Sequence, residues 1–267
     1  MTDLEVDEYL EQAAAVYRNP RPTGGADLRF GVDLGTATVV LTAVGADRRP
    51  VYYDQIPAEV VRDGVVVDFA AAVAVVRDLS ARAEAALCSP INEAATAYPP
   101  GVGEAESRAC RFVLEQAGIE CRKIIDEVGA AQELLQVRDG AIADVGGGSS
   151  GVGVYRDGKL VSLADRPGGG HHLNLILAGA LSVDVAEAEV LKRTAAGDHL
   201  SILTPGIERV ADNIRRLMEP LPGGPVHLIG GALMYPGAGR IVSRYVGHPV
   251  AEHPHALLVT PFGIALS

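Results

Sequence analysis

The chain has 267 residues, 48% of them hydrophobic, and a formal net charge of −11 at pH 7. This apolar content is enough for one large buried core or two smaller ones. The strong negative charge argues against nucleic acid or an anionic membrane as a partner, because both require clustered cations.

The first 27 residues form a segment distinct from the body. The stretch LEVDEYLEQAAAVYR predicts an amphipathic helix, because these residues recur at helical spacing: Val6, Tyr9, Leu10, Ala13 and Tyr17. The prolines and glycines of NPRPTGG then predict a linker. The helix either packs on its own domain or docks on a partner or shell protein. We find no signal-peptide pattern, and the longest apolar run, FAAAVAVV, is too short to span a bilayer, so we expect a soluble cytoplasmic protein.

The body begins with a strand pattern that occurs twice. In LRFGVDLGTATVVLTAV, a strand ends at Asp33, a turn follows at Gly35–Thr36, and a second strand begins at Thr38. RRPVYYDQI predicts a third strand. In GAIADVGGGSSGVGVYRDGKLVSLAD, a strand again ends at an aspartate, Asp144, and a glycine turn and two strands joined at Asp157-Gly158 follow. This internal repeat predicts two similar halves.

Helices are predicted in the intervals between the strands. Asp68 is expected to cap a helix over DFAAAVAVVRDLSARAEAAL, and Gly118 to end the helix of GEAESRACRFVLEQAG. DVAEAEVLKRT is also helical, and PGIERVADNIRRLME places Pro205 in the first turn of its helix. Strands are predicted in AATAYPP, CRKIID and VHLIGG. The element order indicates an α/β protein with a mixed sheet in each half.

Cysteines and histidines give no metal-site pattern. Cys88, Cys110 and Cys121 are odd in number and lack C-x-x-C spacing, which argues against a disulfide framework or a zinc site. We expect each to be a small apolar core residue. His171 and His172 lack ligand spacing as well, and because they follow PGGG we expect them to make contacts from a loop.

The glycine turn after Asp144 also resembles two catalytic motifs. GGSSG matches G-x-S-x-G with Ser149 as the nucleophile, but that motif requires a following helix, and VGVY predicts a strand. Gly158-Lys159 completes a G-x-x-x-x-G-K spacing, yet Leu160 stands where Ser or Thr would bind magnesium. Both the hydrolase and the Walker-loop interpretations are therefore disfavoured.

A phosphate site explains both turns better. Glycine turns allow backbone N–H groups to point together at an anion, and the hydroxyls of Thr36, Ser149 and Ser150 add donors. Asp33 or Asp144 alone would repel phosphate, but each suits a magnesium ion held through water. Two such turns on repeated β units predict a site for a magnesium-bound polyphosphate. A third glycine pair, in VHLIGGALMYPG, follows a strand and leaves room for a flat ring.

At this point the sequence resembles a known superfamily, the actin/DnaK-type ATPases. GVDLGTA, DEVGAA, DVGGGSS, LIGGALMYPG and TPFGIAL occur in the order of its phosphate 1, connect 1, phosphate 2, adenosine and connect 2 motifs, and the resemblance covers residues 28 to 267. VVRDGVVVDF, AATAYPPGVGEAESR, GGGHHLNLILAG and HALLVTPFGIAL resemble the EutJ-type chaperone-like family of ethanolamine utilisation. Members of that family carry a short N-terminal extension like the one found in this chain.

The resemblance implies a duplicated actin/DnaK-like (ribonuclease H-like) α/β fold, with two lobes and a nucleotide in the central cleft. Residues 1–27 would be the N-terminal helix and linker. Residues 28–138 with 250–267 would form the first lobe, which holds phosphate 1, connect 1 and connect 2. Residues 139–249 would form the second lobe, which holds phosphate 2 and the adenosine motif.

The resemblance also implies roles for individual residues toward ATP or ADP and Mg²⁺. Asp33 and Asp144 would hold magnesium through water, and Glu127 would position the attacking water. The phosphates would contact two sets of residues: Gly35, Thr36 and Ala37 on one side, and Gly146, Gly147, Gly148 and Ser149 on the other. Adenosine would lie against a third set: Gly230, Gly231 and Ala232, with Gly169 and Gly170 nearby.

Three departures from the DnaK-type pattern imply slow hydrolysis at most. Gly151 stands where those chaperones carry a second aspartate, connect 1 lacks the usual Pro-Thr pair, and none of the three lysines matches their phosphate-contacting lysine. The sequence also ends at connect 2, so we expect no DnaK-like peptide-binding domain.

The function that follows is an ATP-binding, chaperone-like accessory protein of a bacterial microcompartment pathway for ethanolamine or a related amino-alcohol. Its client would be a pathway enzyme, such as a cobalamin-dependent lyase, or a microcompartment component. One alternative is a small-molecule kinase of the same superfamily, which the short segments between motifs disfavour. The other is a non-hydrolysing scaffold with a vestigial nucleotide site that uses residues 1 to 20 as a docking helix.

Overall fold

The computed structural model describes residues 2–22, 27–62, 65–195, 197–219 and 223–267, except for the side chains of residues 104–106. The chain divides into two compact units, Met1–Gln136 with His253–Ser267 and Val137–Glu252. The first unit includes the N-terminal helix.

The bounds of the elements are given in chain order. The helices are α1 (Asp3–Ala15), α2 (Phe69–Leu87), α3 (Glu104–Ala117), α4 (Glu127–Leu135), α5 (Gly170–Leu181), α6 (Val185–Ala195), α7 (Leu200–Leu217), α8 (Ala238–Val246) and α9 (Val259–Leu266), and a 3-10 turn covers Ala256–Leu258. The strands are β1 (Leu28–Leu34), β2 (Thr38–Gly45), β3 (Pro50–Pro57), β4 (Val61–Arg62), β5 (Val65–Val66), β6 (Glu93–Tyr98), β7 (Glu120–Asp126), β8 (Gly140–Val145), β9 (Ser149–Arg156), β10 (Lys159–Pro167), β11 (Val226–Ile229) and β12 (Val250–Glu252).

The first unit is built on a mixed sheet with strand order β3-β2-β1-β6-β7. The strands β3, β2 and β1 pair antiparallel, whereas β1, β6 and β7 pair parallel. A core of aliphatic side chains lies between this sheet and the helices α2 and α3, and it includes Val32, Leu41, Val76, Leu79 and Leu114. The parallel strands therefore end at one edge of the sheet, where the residues that follow them lie close together.

The N-terminal helix α1 packs on the first unit. Its side chains Val6, Leu10 and Ala13 are buried, and the ring of Tyr9 meets that of Phe262 edge-on at 6.0 Å. A capping box joins Thr2 and Glu5 and fixes the start of the helix. The apolar face of α1 is thus covered by its own domain, which is the first of the two arrangements that the sequence left open. Residues 23–25 of the expected linker lie outside the described residues.

The second unit repeats the arrangement, with strand order β10-β9-β8-β11-β12. The strands β10, β9 and β8 pair antiparallel, and β8, β11 and β12 pair parallel. One face of this sheet packs on α5, α7 and α8 through an apolar core that includes Val145, Val152, Leu177, Ile207 and Val242. The duplication that the two acid-and-glycine turns predicted is therefore present in the fold.

Several local predictions are confirmed. The side chain of Asp68 accepts a hydrogen bond from the N–H of Ala71 at 2.9 Å and so caps α2. Gly118, with φ at +94°, ends α3 in the left-handed conformation. Asp157 and Gly158, with φ at +52° and +75°, form the tight turn between β9 and β10.

Three local predictions are wrong. Pro205 lies inside α7 instead of in its first turn, because the helix begins at Leu200 and buries Leu203 in the core. His171 and His172 belong to the first turn of α5 and not to a loop. Cys88 is exposed instead of lying in the core, because it ends α2 with φ at +51°.

Candidate functional site

In the first unit, the turn after β1 is shaped by Gly35. Asp33 and Leu34 are the last residues of β1, and they pair with Val40 and Val39 of the next strand. A Cβ atom on Gly35 would lie 2.7 Å from the carbonyl oxygen of Thr38, so a side chain at this position would disturb the turn. The predicted phosphate 1 residues Gly35, Thr36 and Ala37 thus form the short connection between β1 and β2.

Glu127 lies at the same edge of this sheet. It is the first residue of α4 and follows β7, which runs parallel to β1 with β6 between them. The preceding residue, Asp126, caps α4 by accepting a hydrogen bond from the N–H of Gly129 at 2.7 Å. Since parallel strands end at the same edge of a sheet, Asp33 and Glu127 are both presented there.

The pKa of a buried thiol in this unit is affected by both of these acids. Burial, and after it the negative charges of Glu127 and Asp33, together raise the pKa of Cys110 to about 12. The two carboxylates therefore lie within electrostatic range of one thiol in the first unit. Cys110 itself is protonated at neutral pH and is a buried core residue, as the sequence predicts.

In the second unit, the phosphate 2 turn is held by its carbonyl groups. The N–H groups of Gly168, Gly170 and His171 donate to the carbonyl oxygens of Gly148, Gly146 and Gly147, at 2.8 to 2.9 Å. The buried hydroxyl of Ser150 donates to the carbonyl oxygen of Gly168 at 2.6 Å. The turn is thus fixed along one side by the start of α5, and Ser150 serves this contact.

The N–H groups of the same turn differ in their partners. Gly146 donates to the carbonyl oxygen of Ser149 at 3.0 Å and closes the turn. Among the described residues, we find no backbone hydrogen bond that uses the N–H of Gly147 or of Gly148. With their carbonyls occupied and their amides available, these two glycines form the kind of backbone cradle that binds anions.

Asp144 borders the adenosine motif. It is the residue before Val145 at the end of β8, is 8% exposed, and pairs across the sheet with Ile229 of β11. Gly230 has φ at +84°, and a Cβ atom on it would lie 2.5 Å from the carboxylate oxygen Oδ1 of Asp144. The N–H of Ala232 donates to the carbonyl oxygen of Val145 at 3.1 Å. Gly230, Gly231 and Ala232 therefore follow directly on the end of β11, beside the aspartate.

Gly169 and Gly170 complete this region of the second unit. A Cβ atom on Gly169 would lie 2.2 Å from the carbonyl oxygen of Gly146, and one on Gly170 would lie 3.4 Å from the Cβ of Ala232. These glycines allow the phosphate 2 turn, the start of α5 and the adenosine motif to approach one another. The structure thus brings together the site residues that were predicted in the second unit.

The sequence did not single out a buried cluster beside Gly170. The ammonium group of Lys192 donates to the carbonyl oxygen of Gly170 at 3.2 Å and to Glu189 at 2.8 Å, and the same carboxylate accepts from Asn174. Burial lowers the pKa of Lys192, although the hydrogen bond to Glu189 opposes this effect. The signal in the sequence was the E-x-x-K spacing on α6, which places both side chains on one helix face.

The chemistry of these groups fits a magnesium-bound nucleotide. Carboxylate oxygens such as those of Asp33 and Asp144 are the ligands that magnesium and its waters prefer. Backbone N–H groups, such as those of Gly147 and Gly148, suit phosphate oxygens.

None of the helices in the described part of the chain combines the length and the apolar composition that a membrane span requires.

Comparison with known proteins defines the class of fold. The family model of the MreB/Mbl protein matches residues 54–178. The structure of MreB5 from Spiroplasma citri bound to ADP superposes with a TM-score of 0.73 at 17% identity, covering 88% of this chain and 94% of that one. The protein therefore has the actin-like fold of the MreB type, a mixed α/β architecture, as the sequence predicts.

The family within this class follows from closer relatives. The ethanolamine utilization protein EutJ of Salmonella typhimurium is 36% identical over 259 residues, which is 97% of this chain and 92% of that protein. The crystal structure of EutJ from Carboxydothermus hydrogenoformans superposes with a TM-score of 0.94 at 35% identity, over 100% of this chain and 99% of that one. The chain belongs to the EutJ family.

Proposed function

We propose that this protein binds ATP or ADP with Mg²⁺ and serves as a nucleotide-responsive, chaperone-like accessory protein of a bacterial microcompartment pathway for ethanolamine or a related amino-alcohol. The names of the EutJ relatives support the pathway. The nucleotide part is supported by relatives in fold, since Spiroplasma citri MreB5 has been crystallised with ADP and with AMPPNP.

The observation that carries the nucleotide proposal is the cradle of the second unit. Its carbonyl groups accept hydrogen bonds from the start of α5, and Asp144 lies near the end of the strand that leads into it. Within the part of the chain that the structure describes, the Gly147 and Gly148 amides donate to no backbone carbonyl. A backbone cradle and a carboxylate attract opposite charges. Together they suit a phosphate that brings its own divalent cation.

In this proposal each predicted residue has one task. Asp33 and Asp144 hold the waters of magnesium. The phosphates contact the N–H and hydroxyl groups of these residues: Gly35, Thr36, Ala37, Gly146, Gly147, Gly148 and Ser149. Adenosine lies against Gly169, Gly170, Gly230, Gly231 and Ala232. Glu127 positions a water molecule for attack on the terminal phosphate.

We propose slow hydrolysis at most. Phosphoryl transfer depends on charges that are fixed around the transferred group. Gly151 provides no carboxylate, and the one buried lysine found among the described residues, Lys192, bonds to Glu189 and to the backbone of Gly170. Nucleotide would therefore act mainly as a switch that changes the affinity for a client, for which a cobalamin-dependent lyase of the pathway is our candidate.

The scaffold alternative receives no support from α1. A docking helix needs an apolar face that is open to a partner, whereas Val6, Leu10 and Ala13 are buried against the first unit.

Titration calorimetry with Mg-ADP and with a non-hydrolysable Mg-ATP analogue tests the nucleotide proposal. We expect the unaltered chain to bind one nucleotide and Asp144→Ala to bind at least about tenfold more weakly, a loss of about 1.4 kcal/mol. Asp198→Ala is the matched control, because Asp198 is an exposed aspartate of the same unit. The absence of binding to the unaltered chain, or equal affinities for it and for Asp144→Ala, would contradict the proposal.

A further inference from the structure

The site proposed above lacks a carboxylate at Gly151, and the pairing of the strands shows which residues lie beside Gly151. Gly151 pairs with Asp144 of β8 on one side and with Asp165 of β10 on the other. The three residues form one row across the sheet, and the middle one has no side chain. This inference rests on the proposed nucleotide site and adds a residue to it.

Both aspartates lie on the same face of the sheet. Residues that are directly opposite in paired strands point to the same side, and neighbours along a strand alternate. Ala143, Val145 and Val152 belong to the core that packs on α5, α7 and α8, so they define the face that turns toward those helices. Asp144 stands between Ala143 and Val145, and Gly151 precedes Val152, so both belong to the opposite face. Asp165 is in register with Gly151 and therefore points to that face as well.

The spacing suits an ion that carries its water. Adjacent strands lie about 4.8 Å apart, so the Cα atoms of Asp144 and Asp165 are separated by about 10 Å. Magnesium keeps most of its water shell in proteins and is often held by carboxylates through these waters. Glycine at position 151 leaves the space between the two carboxylates free of a side chain, which an ion with its water shell would need.

The strand that carries Asp165 is also fixed to the phosphate cradle. Pro167, two residues further along β10, pairs with Ser149, and the carbonyl oxygen of Gly168 accepts the hydroxyl of Ser150. The carboxylate oxygen Oδ1 of Asp165 is buried. Asp165 thus lies on the strand that borders β9, and Ser149, the first residue of β9, ends the phosphate 2 turn.

We propose that Asp165 supplies the second carboxylate of the magnesium site, across the sheet from Asp144, in place of a side chain at position 151. Asp165 acts through the waters of the ion and so helps to position the magnesium-bound phosphates. Strand β10, which returns from the hairpin turn, thus supplies the carboxylate that position 151 lacks.

The test separates the magnesium-dependent part of nucleotide affinity from the rest. The dissociation constant of ADP is measured by calorimetry in saturating Mg²⁺ and again in excess EDTA, and their ratio gives the tightening due to magnesium. Loss of a carboxylate in the outer shell of a metal typically costs about 10- to 100-fold in metal affinity. We therefore expect Asp165→Asn to reduce this ratio at least about tenfold, while ADP in EDTA binds as tightly as before or tighter, because one negative charge is gone.

Other outcomes would overturn the proposal. If Asp165→Asn keeps the ratio of the unaltered chain, Asp165 does not serve the metal. If both dissociation constants rise in proportion, its role is structural. Asp198→Asn controls for the change in net charge and should leave the ratio unchanged. Asp165→Ser, which has a smaller polar side chain, is measured in the same way if Asp165→Asn does not fold. Failure of the unaltered chain to bind ADP would refute the proposed function and this inference together, whereas an unchanged ratio refutes the inference alone.

Discussion

At the scale of single residues, Gly169 is a tightly constrained position of the candidate site. A side chain there would collide with backbone atoms, since its Cβ would lie 2.2 Å from the carbonyl oxygen of Gly146 and 3.0 Å from that of Gly147. A flexible side chain could move aside, but these backbone oxygens accept hydrogen bonds from the N–H groups of Gly170 and His171. They also belong to the turn that we propose binds phosphate. The absence of a side chain at Gly169 therefore sets how closely the turn and α5 approach.

We expect Gly169→Ala to lower the free energy of unfolding by about 1–3 kcal/mol, the usual cost of an overpacked site. It should also weaken the binding of Mg-ADP at least about tenfold, because the displaced turn no longer presents its amides correctly. Gly179→Ala is the matched control in α5, since its Cβ would meet no atom within 4 Å. This control should bind Mg-ADP normally and be as stable or up to about 1 kcal/mol more stable. Urea unfolding and calorimetry measure both effects, and unaltered binding by Gly169→Ala would contradict our assignment of the turn.

The sequence could predict residues whose role depends on near neighbours, and it missed those that depend on distant ones. Asp68 and Gly118 act within one helix turn, and the glycines of the phosphate 2 turn are consecutive. Lys192 meets Gly170 only after α5 and α6 have packed together. Asp165 faces Asp144 only because β9 and β10 pair in a particular register, which includes an irregularity between Leu160 and Ser162.

At the scale of elements, α1 shows that an N-terminal extension can be part of a core. Leu10 is fully buried, whereas Leu4, which precedes it in the same helix, is 81% exposed. The helix contacts β3, the 3-10 turn Ala256–Leu258 and α4, all of which belong to the first unit. Its apolar stripe therefore contributes to the stability of that unit.

We expect Leu10→Ala to lower the free energy of unfolding by about 2–5 kcal/mol, because it leaves a cavity in a packed region. Leu4→Ala removes the same atoms from an exposed position of the same helix and should change this free energy by no more than about 0.5 kcal/mol. Denaturation in urea, followed by circular dichroism, compares the two. Equal and small effects would mean that α1 is only loosely attached, and the docking interpretation would regain its basis.

In helix α7, packing in the core outweighs the preference of proline for the first turn of a helix. Proline is common in the first turn of helices, so the sequence predicts that Pro205 lies in the first turn. The observed helix begins at Leu200, and the hydroxyl of Thr204 donates to the carbonyl oxygen of Leu200 at 2.7 Å. Burial of Leu203 and Ile207 on the same face supports the earlier turn. A single sequence gives no direct measure of how much this burial outweighs the unfavourable proline.

At the scale of the whole molecule, the duplication could be predicted because its signal is local. Each half carries a strand, an acid, a glycine turn and two further strands within about thirty residues, and each sheet has the same order and the same mixture of pairings. The sequence is less informative about which strands pair in parallel with β1 and β8. The strands β6 and β11 come from much later in the sequence, and their pairing depends on the packing of the intervening helices.

The proposed role as a nucleotide-responsive accessory protein makes one prediction that only the intact chain can test. If Mg-ATP changes the affinity of this protein for a client, the client must change the affinity for Mg-ATP by the same factor, because both describe one coupling free energy. Couplings of this kind typically amount to about 5- to 150-fold. A scaffold with a vestigial site would show a ratio of one in both directions.

We therefore expect the purified cobalamin-dependent lyase of the pathway to bind this protein with an affinity that differs at least about fivefold between a non-hydrolysable Mg-ATP analogue and no nucleotide. The nucleotide affinity, measured with and without saturating lyase, should differ by the same factor. Asp144→Ala is the control, and it should bind the lyase with one affinity whether or not nucleotide is present, because it cannot respond to nucleotide. Binding of the lyase without any effect of nucleotide would favour the scaffold, and unequal factors in the two directions would show that the lyase and the nucleotide are not linked through one equilibrium.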